Sequence, residues 1–441
     1  MCWSSLFLKL DIHTKEVVKK SFASMIVKIF GMAAGLAISI SLGRLLGPDG
    51  LGIVNLSLRI ANILLVITMF GVSNVILKHV AIGFEQHDYL KIASYLKTSL
   101  IFNGLLAVSV SITGISVAPY FCTEIIKEPA LQTPLIIIIA VLLPQTYSRI
   151  FASAVTGLHK IWQSNLVNET LSSWIVGFGL IVLYVANQDI DVDRIACLYA
   201  IARVAVTVSM YSYWKHLFNF KGKKQWVLRP ILKMARPLLL VSSTSVIAAN
   251  SDIVMLGWLS SSYQVGLYSV AAQISMLVVF FLQISNAAIS PKLAALFADG
   301  RTKEMETMIH RVTGGLAIIA LLTVSILAIG GKFILTFWGT EFTGAYWILL
   351  ILTVGQVMNI STGCAGMLLM MTGLEKAHGY ISFIFVSLNL ILNLILIYAF
   401  GAIGAALATA ITITGENITK VIVAKVKLGI LTIPYLKKKD E

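Results

Sequence analysis

Apolar runs long enough to cross a bilayer recur from one end of this chain to the other, and nothing constrains its fold more. About twelve segments approach the ~20 residues that an α-helix needs to span ~30 Å of hydrocarbon. One run, LIIIIAVLL from Leu135 to Leu143, contains no polar residue at all. Such runs lack the alternation expected of the ~10-residue strands of a transmembrane barrel. With 58% hydrophobic and 12% charged residues, the composition excludes a soluble multidomain chain. The expected fold is an all-α polytopic membrane protein: about twelve transmembrane helices in two pseudo-symmetric six-helix lobes, with both termini cytoplasmic.

Charge then orients the spans. The net charge is +14, which could suggest nucleic acid, but its distribution argues for membrane orientation instead. Most of the 34 Lys and Arg residues fall at helix ends assigned inside, while Arg44, Lys127, Arg194 and Lys332 fall at outer ends. This is the positive-inside bias of membrane proteins. The densest stretch, Lys215 to Pro237, carries Lys215, Lys221, Lys223, Lys224, Arg229, Lys233 and Arg236 without an acid. It reads as a basic strap between halves, attracted to anionic lipid. The expected organisation is an interfacial segment over 1–20 rather than a cleaved signal, an N-terminal lobe over 21–214, a basic cytoplasmic linker over 215–236, a C-terminal lobe over 237–427, and a lysine-rich tail over 428–441. The cysteines, Cys2, Cys122, Cys197 and Cys364, match no metal spacing. Free, buried thiols are expected, with a Cys122–Cys197 bridge as the alternative.

The halves repeat. A shift of 214 positions lays Gly52 on Gly266, Arg59 on Gln273, Ile60 on Ile274, Lys78 on Lys292 and Lys19 on Lys233. Halves with an even number of spans share one orientation, which implies an axis along the membrane normal, a central cleft and a transporter architecture.

Charged residues inside spans carry the chemistry. Each costs roughly 2.5–3.5 kcal/mol facing lipid, so Lys28, Arg59, Glu169, Arg203, Asp252 and Glu416 are expected to face water or one another. Lys28 shares a helical face with Gly31, Gly35 and Ser39, and Arg59 shares one with Asn55 and Asn62. Helix packing accounts for the glycines and serines of such stripes. Lys28, Arg59 and Arg203 outnumber the single acid of that half, Glu169, and a cavity with excess positive charge suits a phosphate or pyrophosphate head group. Asp252 and Glu416 are candidates to bind a coupling H+ or Na+, the alternative being internal salt bridges to Arg59 and Arg203. Asn55, Asn62, Asn250 and Gln273 complete the expected polar lining. No phosphate-binding GxxxxGK[ST] loop, GxSxG elbow or HExxH pair occurs, so neither a catalytic site, a resident metal nor a cofactor is expected.

Three patterns carry a family resemblance: Gly43-Arg44-Leu45-Leu46-Gly47-Pro48-Asp49-Gly50-Leu51-Gly52, then Asn250-Ser251-Asp252 followed by Met255-Leu256-Gly257, then Trp338-Gly339-Thr340-Glu341-Phe342. In order and spacing they resemble the lipid-linked oligosaccharide flippases of the multidrug/oligosaccharidyl-lipid/polysaccharide exporter superfamily. The resemblance implies flipping of undecaprenyl-pyrophosphate-linked sugar units across the bacterial inner membrane for O-antigen or capsule assembly, by alternating access. It implies partners in membrane lipid and the polysaccharide polymerase machinery. It also places functional basic residues at Lys28 and Arg59 and an acid at Asp252. The alternatives are a cation-coupled multidrug antiporter of the same superfamily, which would favour an acidic cavity, and a membrane-embedded glycan transferase.

Overall fold

The computed structural model describes residues 12–220 and 222–433, and not the side chains of residues 12–24, 168, 169, 240, 241 and 287. The start of the interfacial segment, Lys221 in the strap, the lysine tail and the side chain of Glu169 therefore lie outside the described residues.

The chain is helical throughout the described residues. α1 (Ile12–Met69) is broken at Gly47, whose φ of 67° and ψ of −174° precede Pro48. There follow α2 (Val72–Glu85), α3 (Tyr89–Tyr120), α4 (Gln132–Ala140), α5 (Leu142–Gly157), α6 (Ile161–Asn165), α7 (Leu171–Val185) and α8 (Val192–Leu217). The remainder comprises α9 (Leu228–Leu259), α10 (Ser262–Ala298), α11 (Thr302–Leu335), α12 (Tyr346–Ser361), α13 (Ala365–Met371) and α14 (Glu375–Leu428). Among the described residues, seven helices are long and apolar enough to cross a membrane, or nine if each bent pair is one span. Large apolar side chains point outward, Ile329 at 89% and Tyr398 at 85% exposure. In water such a surface would be a liability; in lipid it is the solvated face.

Two compact units emerge. One gathers the residues up to Leu45 with Ser57–Val246, and the other gathers Leu46–Leu56 with the residues from Ile247 on. In the first unit, α5 is central, packed by α2, α3 and α8. α12 holds the corresponding place in the second, packed by α10, α11 and α14. Within the expected strap 215–236, α8 runs to Leu217 and α9 starts at Leu228, so Arg229, Lys233 and Arg236 ride on a helix, while 218–220 and 222–227 are not helical. α9 then bends by 44° between Leu239 and Ser242, just after Pro237 removes a helical donor.

Helix breaks inside the first unit are chemically satisfied. α1 stops at Met69, where Phe70 (φ 45°) and Gly71 (φ 72°) leave the helical region. A helix end frees carbonyls that lipid cannot bond. Asn103, fully buried on α3, donates through Nδ2 to the carbonyls of Thr68 (2.7 Å) and Met69 (2.9 Å). The Thr68 and Thr146 hydroxyls share a hydrogen bond of 2.8 Å beside them. In the second unit α14 doubles back at Gly401 (φ 56°, ψ −133°). Its two arms are joined by Asn389 donating to Thr412 and Ser382 donating to Glu416. Cys122, Cys197 and Cys364 are free thiols, Cys197 being exposed rather than buried.

The 214-residue repeat has a direct structural counterpart. A Cβ on Gly52 would fall on the Ser262 carbonyl oxygen, and one on Gly266 would fall on the Pro48 carbonyl oxygen. Ser262 is Pro48 shifted by 214 positions, so the two glycines clasp each other's turns reciprocally. This close approach holds the tip of α1, residues 46–56, in the second unit. Gly52→Ala and Gly266→Ala should each cost about 1–3 kcal/mol through overpacking, read as earlier unfolding of the purified protein in mild detergent. Gly330→Ala, whose Cβ would meet nothing within 4 Å, should change stability by no more than about 0.5 kcal/mol; equal effects at all three positions would contradict the clasp.

Candidate functional site

The first unit contributes cations from different helices. Lys28 is exposed on the first arm of α1. One turn on, Gly31 lets that arm approach Thr170, whose Oγ1 would lie 2.9 Å from an added Cβ and which donates to the Val27 carbonyl at 3.2 Å. Gly31 is thus a packing position, as the bland reading of the stripe expected. Gly35, with nothing within 4 Å of an added Cβ, is not. Arg59 and Asn62 are half-buried on the second arm of α1. Arg203 is half-buried on α8, with Arg149 of α5 as its cationic neighbour and Tyr199 one turn before it. Thr207 fixes this stretch, its hydroxyl bonding the Pro144 carbonyl at 2.7 Å and the Arg203 carbonyl at 2.8 Å. Two guanidinium groups within electrostatic reach of one another among apolar helices repel, and an anion held between them would relieve that repulsion. The approach of Arg149 to Arg203 depends on how α5 meets α8, which sequence spacing does not show.

An apolar groove of about 810 Å³ lies between the first arm of α1 and α7. Ala33, Ala34 and Ala37 line one side, and Trp174, Phe178 and Ile181 the other. Its width follows from the alanines, which leave the helix surface bare where larger side chains would fill it.

The second unit carries the acids. Asp252, half-buried on α9, accepts from Tyr268 Oη and Thr409 Oγ1 at Oδ2, each at 2.7 Å, and from Asn393 Nδ2 at Oδ1 at 2.6 Å. All three donors are neutral. Asn393 also donates to Asn389 Oδ1 at 2.9 Å. Asn393 is fully buried, and its own Oδ1 has no hydrogen-bond partner. Oxygens of Asp252, Asn389, Asn393 and Thr409 therefore converge from α9 and both arms of α14, a donor set suited to a proton on the carboxylate or to a small hard cation. Asn389 and Asn393 were missed in the sequence reading. Their signal was present: two amides four residues apart in the otherwise apolar run LNLILNLILIY share one helix face. Asn250 is buried beside Asp252 in sequence, Gln273 is half-buried on α10, and Asn55 is half-buried on the part of α1 that belongs to this unit.

Glu416 has a different setting. Lys420 Nζ lies 2.7 Å from its Oε1, with Ser382 Oγ donating to the same oxygen at 2.7 Å. Lys420 is 7% exposed, so the pair is a buried internal ion pair at i,i+4 spacing. The expected partner Arg203 is replaced by this nearer cation, and the carboxylate is already neutralised.

Comparison with known proteins fits this architecture. Residues 17–297 match the family described as polysaccharide biosynthesis protein. The chain is 24% identical over 408 residues to a protein of Haloferax volcanii named as the probable low-salt glycan biosynthesis flippase Agl15, covering 90% of this chain and 81% of that one. Its fold resembles an inward-facing multidrug resistance MATE family transporter of the MOP superfamily, with a TM-score of 0.76 at 16% identity over 90% of this chain and 94% of the other. It also resembles the lipid II flippase MurJ in an inward closed conformation, with a TM-score of 0.70 at 14% identity over 92% and 87%. This chain belongs to the polysaccharide biosynthesis protein family, a multi-pass membrane protein whose fold is shared with these solved transporters.

Proposed function

We propose that this chain is a flippase that carries a polyprenyl-pyrophosphate-linked oligosaccharide from the inner to the outer leaflet by alternating access. Undecaprenol as carrier, the bacterial cytoplasmic membrane, O-antigen or capsule assembly, and a polymerase that consumes the flipped unit are the finer parts of the same reading. The observation that carries it is the electrostatic approach of Arg149 to Arg203 within the first unit, the unit that also holds Lys28 and Arg59. Like charges held together in an apolar setting favour an anionic cargo over the organic cation of a drug antiporter. The names of the relatives, a glycan biosynthesis flippase and a lipid II flippase, support the same cargo class.

In this reading the pyrophosphate lies against Arg203, Arg59 and Lys28, with Arg149 behind Arg203. The arginines grip paired oxygens and the lysine acts as a point charge. The groove beside α7 offers the polyprenyl chain an apolar bed. Asn55, Asn62, Asn250 and Gln273 supply amides for sugar hydroxyls. The coupling cation, H+ or Na+, belongs at Asp252 rather than at Glu416, because Lys420 already neutralises the latter.

Twelve spans fit the described helices. α1 and α14, at 58 and 54 residues, are each broken at a positive-φ glycine and so supply two arms apiece. Added to the seven long helices and two bent pairs, the apolar helix Leu171–Val185 makes the twelfth. The basic inner ends support cytoplasmic termini in this reading.

Liposomes containing the purified protein and a fluorescent undecaprenyl-pyrophosphate oligosaccharide test the cargo. Wild type should flip it, and Arg203→Ala, Arg59→Ala and Lys28→Ala should each slow flipping roughly tenfold or more, the scale of one lost charge-assisted contact. Folded variants that flip at the wild-type rate would refute the site. A separate prediction concerns Asp252: added Na+, or a lowered pH, should raise the melting temperature of wild type, by up to about 2.7 kcal/mol of stabilisation at a hundredfold excess over Kd. Asn393→Leu and Thr409→Val should blunt that response; a wild type indifferent to both ions would exclude coupling at this cluster.

A further inference from the structure

The stretch 222–227 that leads into α9 is tethered where a free strap would have trailed in solvent. Gln225 donates its backbone N–H to Ser94 Oγ at 3.0 Å, and Val227 donates its own to Thr98 Oγ1 at 3.2 Å. Both acceptors are buried on α3, at 3% and 0% exposure. An irregular backbone must place its N–H groups somewhere, and here two hydroxyls of one helix face receive them. The other end of the segment is held by aromatic packing, with the Trp214 and Phe218 rings 5.0 Å apart and Phe218 6.1 Å from Tyr89.

Between α3, the end of α8 and this tethered segment lies a pocket of about 330 Å³. Lys97 comes to it from α3, Lys215 from α8 and Lys224 from the segment, and its lining includes no Asp or Glu. Leu96, Leu100 and Ile101 supply its apolar part. Three lysines from three separate elements thus line one concavity beside an apolar wall, with Trp214 and Tyr211 marking interfacial depth. Loose lipid attraction needs only scattered surface lysines. A shaped pocket held by two backbone tethers is a different object.

We propose that this pocket binds the phosphate of an anionic phospholipid, its first acyl carbons resting on Leu96, Leu100 and Ile101. Lysines suit that ligand because an ammonium is a point charge that takes phosphate oxygens without a fixed geometry. The bound lipid joins α3, α8 and the segment that leads into α9, and so holds the point at which α9 begins. The site stands apart from the cations assigned to cargo, so it can fail or hold independently of the flippase reading.

Native mass spectrometry of the purified full chain, titrated with phosphatidylglycerol and with phosphatidylcholine, tests it. Wild type should retain phosphatidylglycerol selectively, by roughly fivefold for each lysine engaged. Combined Lys97→Gln, Lys215→Gln and Lys224→Gln should abolish the selectivity, and the matching Lys→Arg triple should keep most of it. Ser94→Ala with Thr98→Val should weaken it by releasing the segment. A control triple of exposed lysines in the second unit, Lys303→Gln, Lys376→Gln and Lys427→Gln, should retain it. Selectivity that survives in the pocket triple, or falls equally in the control triple, would overturn the proposal. So would preferential binding of a short polyprenyl phosphate over phosphatidylglycerol, which would make the pocket a cargo site.

Discussion

A polar group carried into hydrocarbon must bring its partner with it, because lipid offers none. Most of this structure follows from that requirement. Where α1 breaks at Phe70 and Gly71, Asn103 arrives from α3 to take the two freed carbonyls. Where α14 places Glu416 in the helix bundle, Lys420 meets it one turn later and Ser382 comes from the opposite arm. Asp252 collects three neutral donors from α10 and α14. Arg149 and Arg203 add a different element to this pattern, since each lies within electrostatic reach of another cation. Like charges brought together among apolar helices point to an anionic ligand.

The repeat makes the contrast sharper. Each unit packs around one central helix, α5 in one and α12 in the other, yet the charged positions singled out for function do not correspond. Asp252 falls on Ile38 under the shift of 214 residues, Glu416 falls on Ala202, and Arg59 falls on Gln273. Ile38 and Ala202 are buried apolar residues. The two units are charged differently at these positions: cations in the first, a carboxylate with neutral donors in the second. Such a division suits a carrier whose cargo and coupling ion occupy separate units.

Much of the fold was legible because long apolar runs admit few structures in lipid, and because Gly-Pro and Gly-rich turns mark reversals. The repeat was legible down to the Gly52–Gly266 correspondence, although only coordinates could reveal that these glycines touch each other's turns. Contacts between segments distant in sequence were not legible. Arg149 looked like a helix-end charge until α8 brought Arg203 beside it. Lys420 sits toward a helix end in the sequence, and its i,i+4 spacing from Glu416 admits the ion pair that the folded helix forms. The start of α9 at Leu228 was hidden by its charge: Arg229, Lys233 and Arg236 read as linker, yet lysine and arginine are good helix formers, and here basic residues continue a membrane helix beyond the apolar core.

The central claim is that an anionic lipid-linked cargo moves in one unit under control of a cation bound in the other. Gradient-driven flipping in proteoliposomes tests it most directly, comparing wild type with Asp252→Asn, an isosteric change that keeps the amide and hydroxyl neighbours in place. Imposing an H+ or Na+ gradient should accelerate net flipping of the pyrophosphate-linked oligosaccharide by wild type, while Asp252→Asn should flip at one rate whatever the gradient. A variant that still responds to the gradient as wild type does, or a wild type that ignores both gradients, would contradict the account.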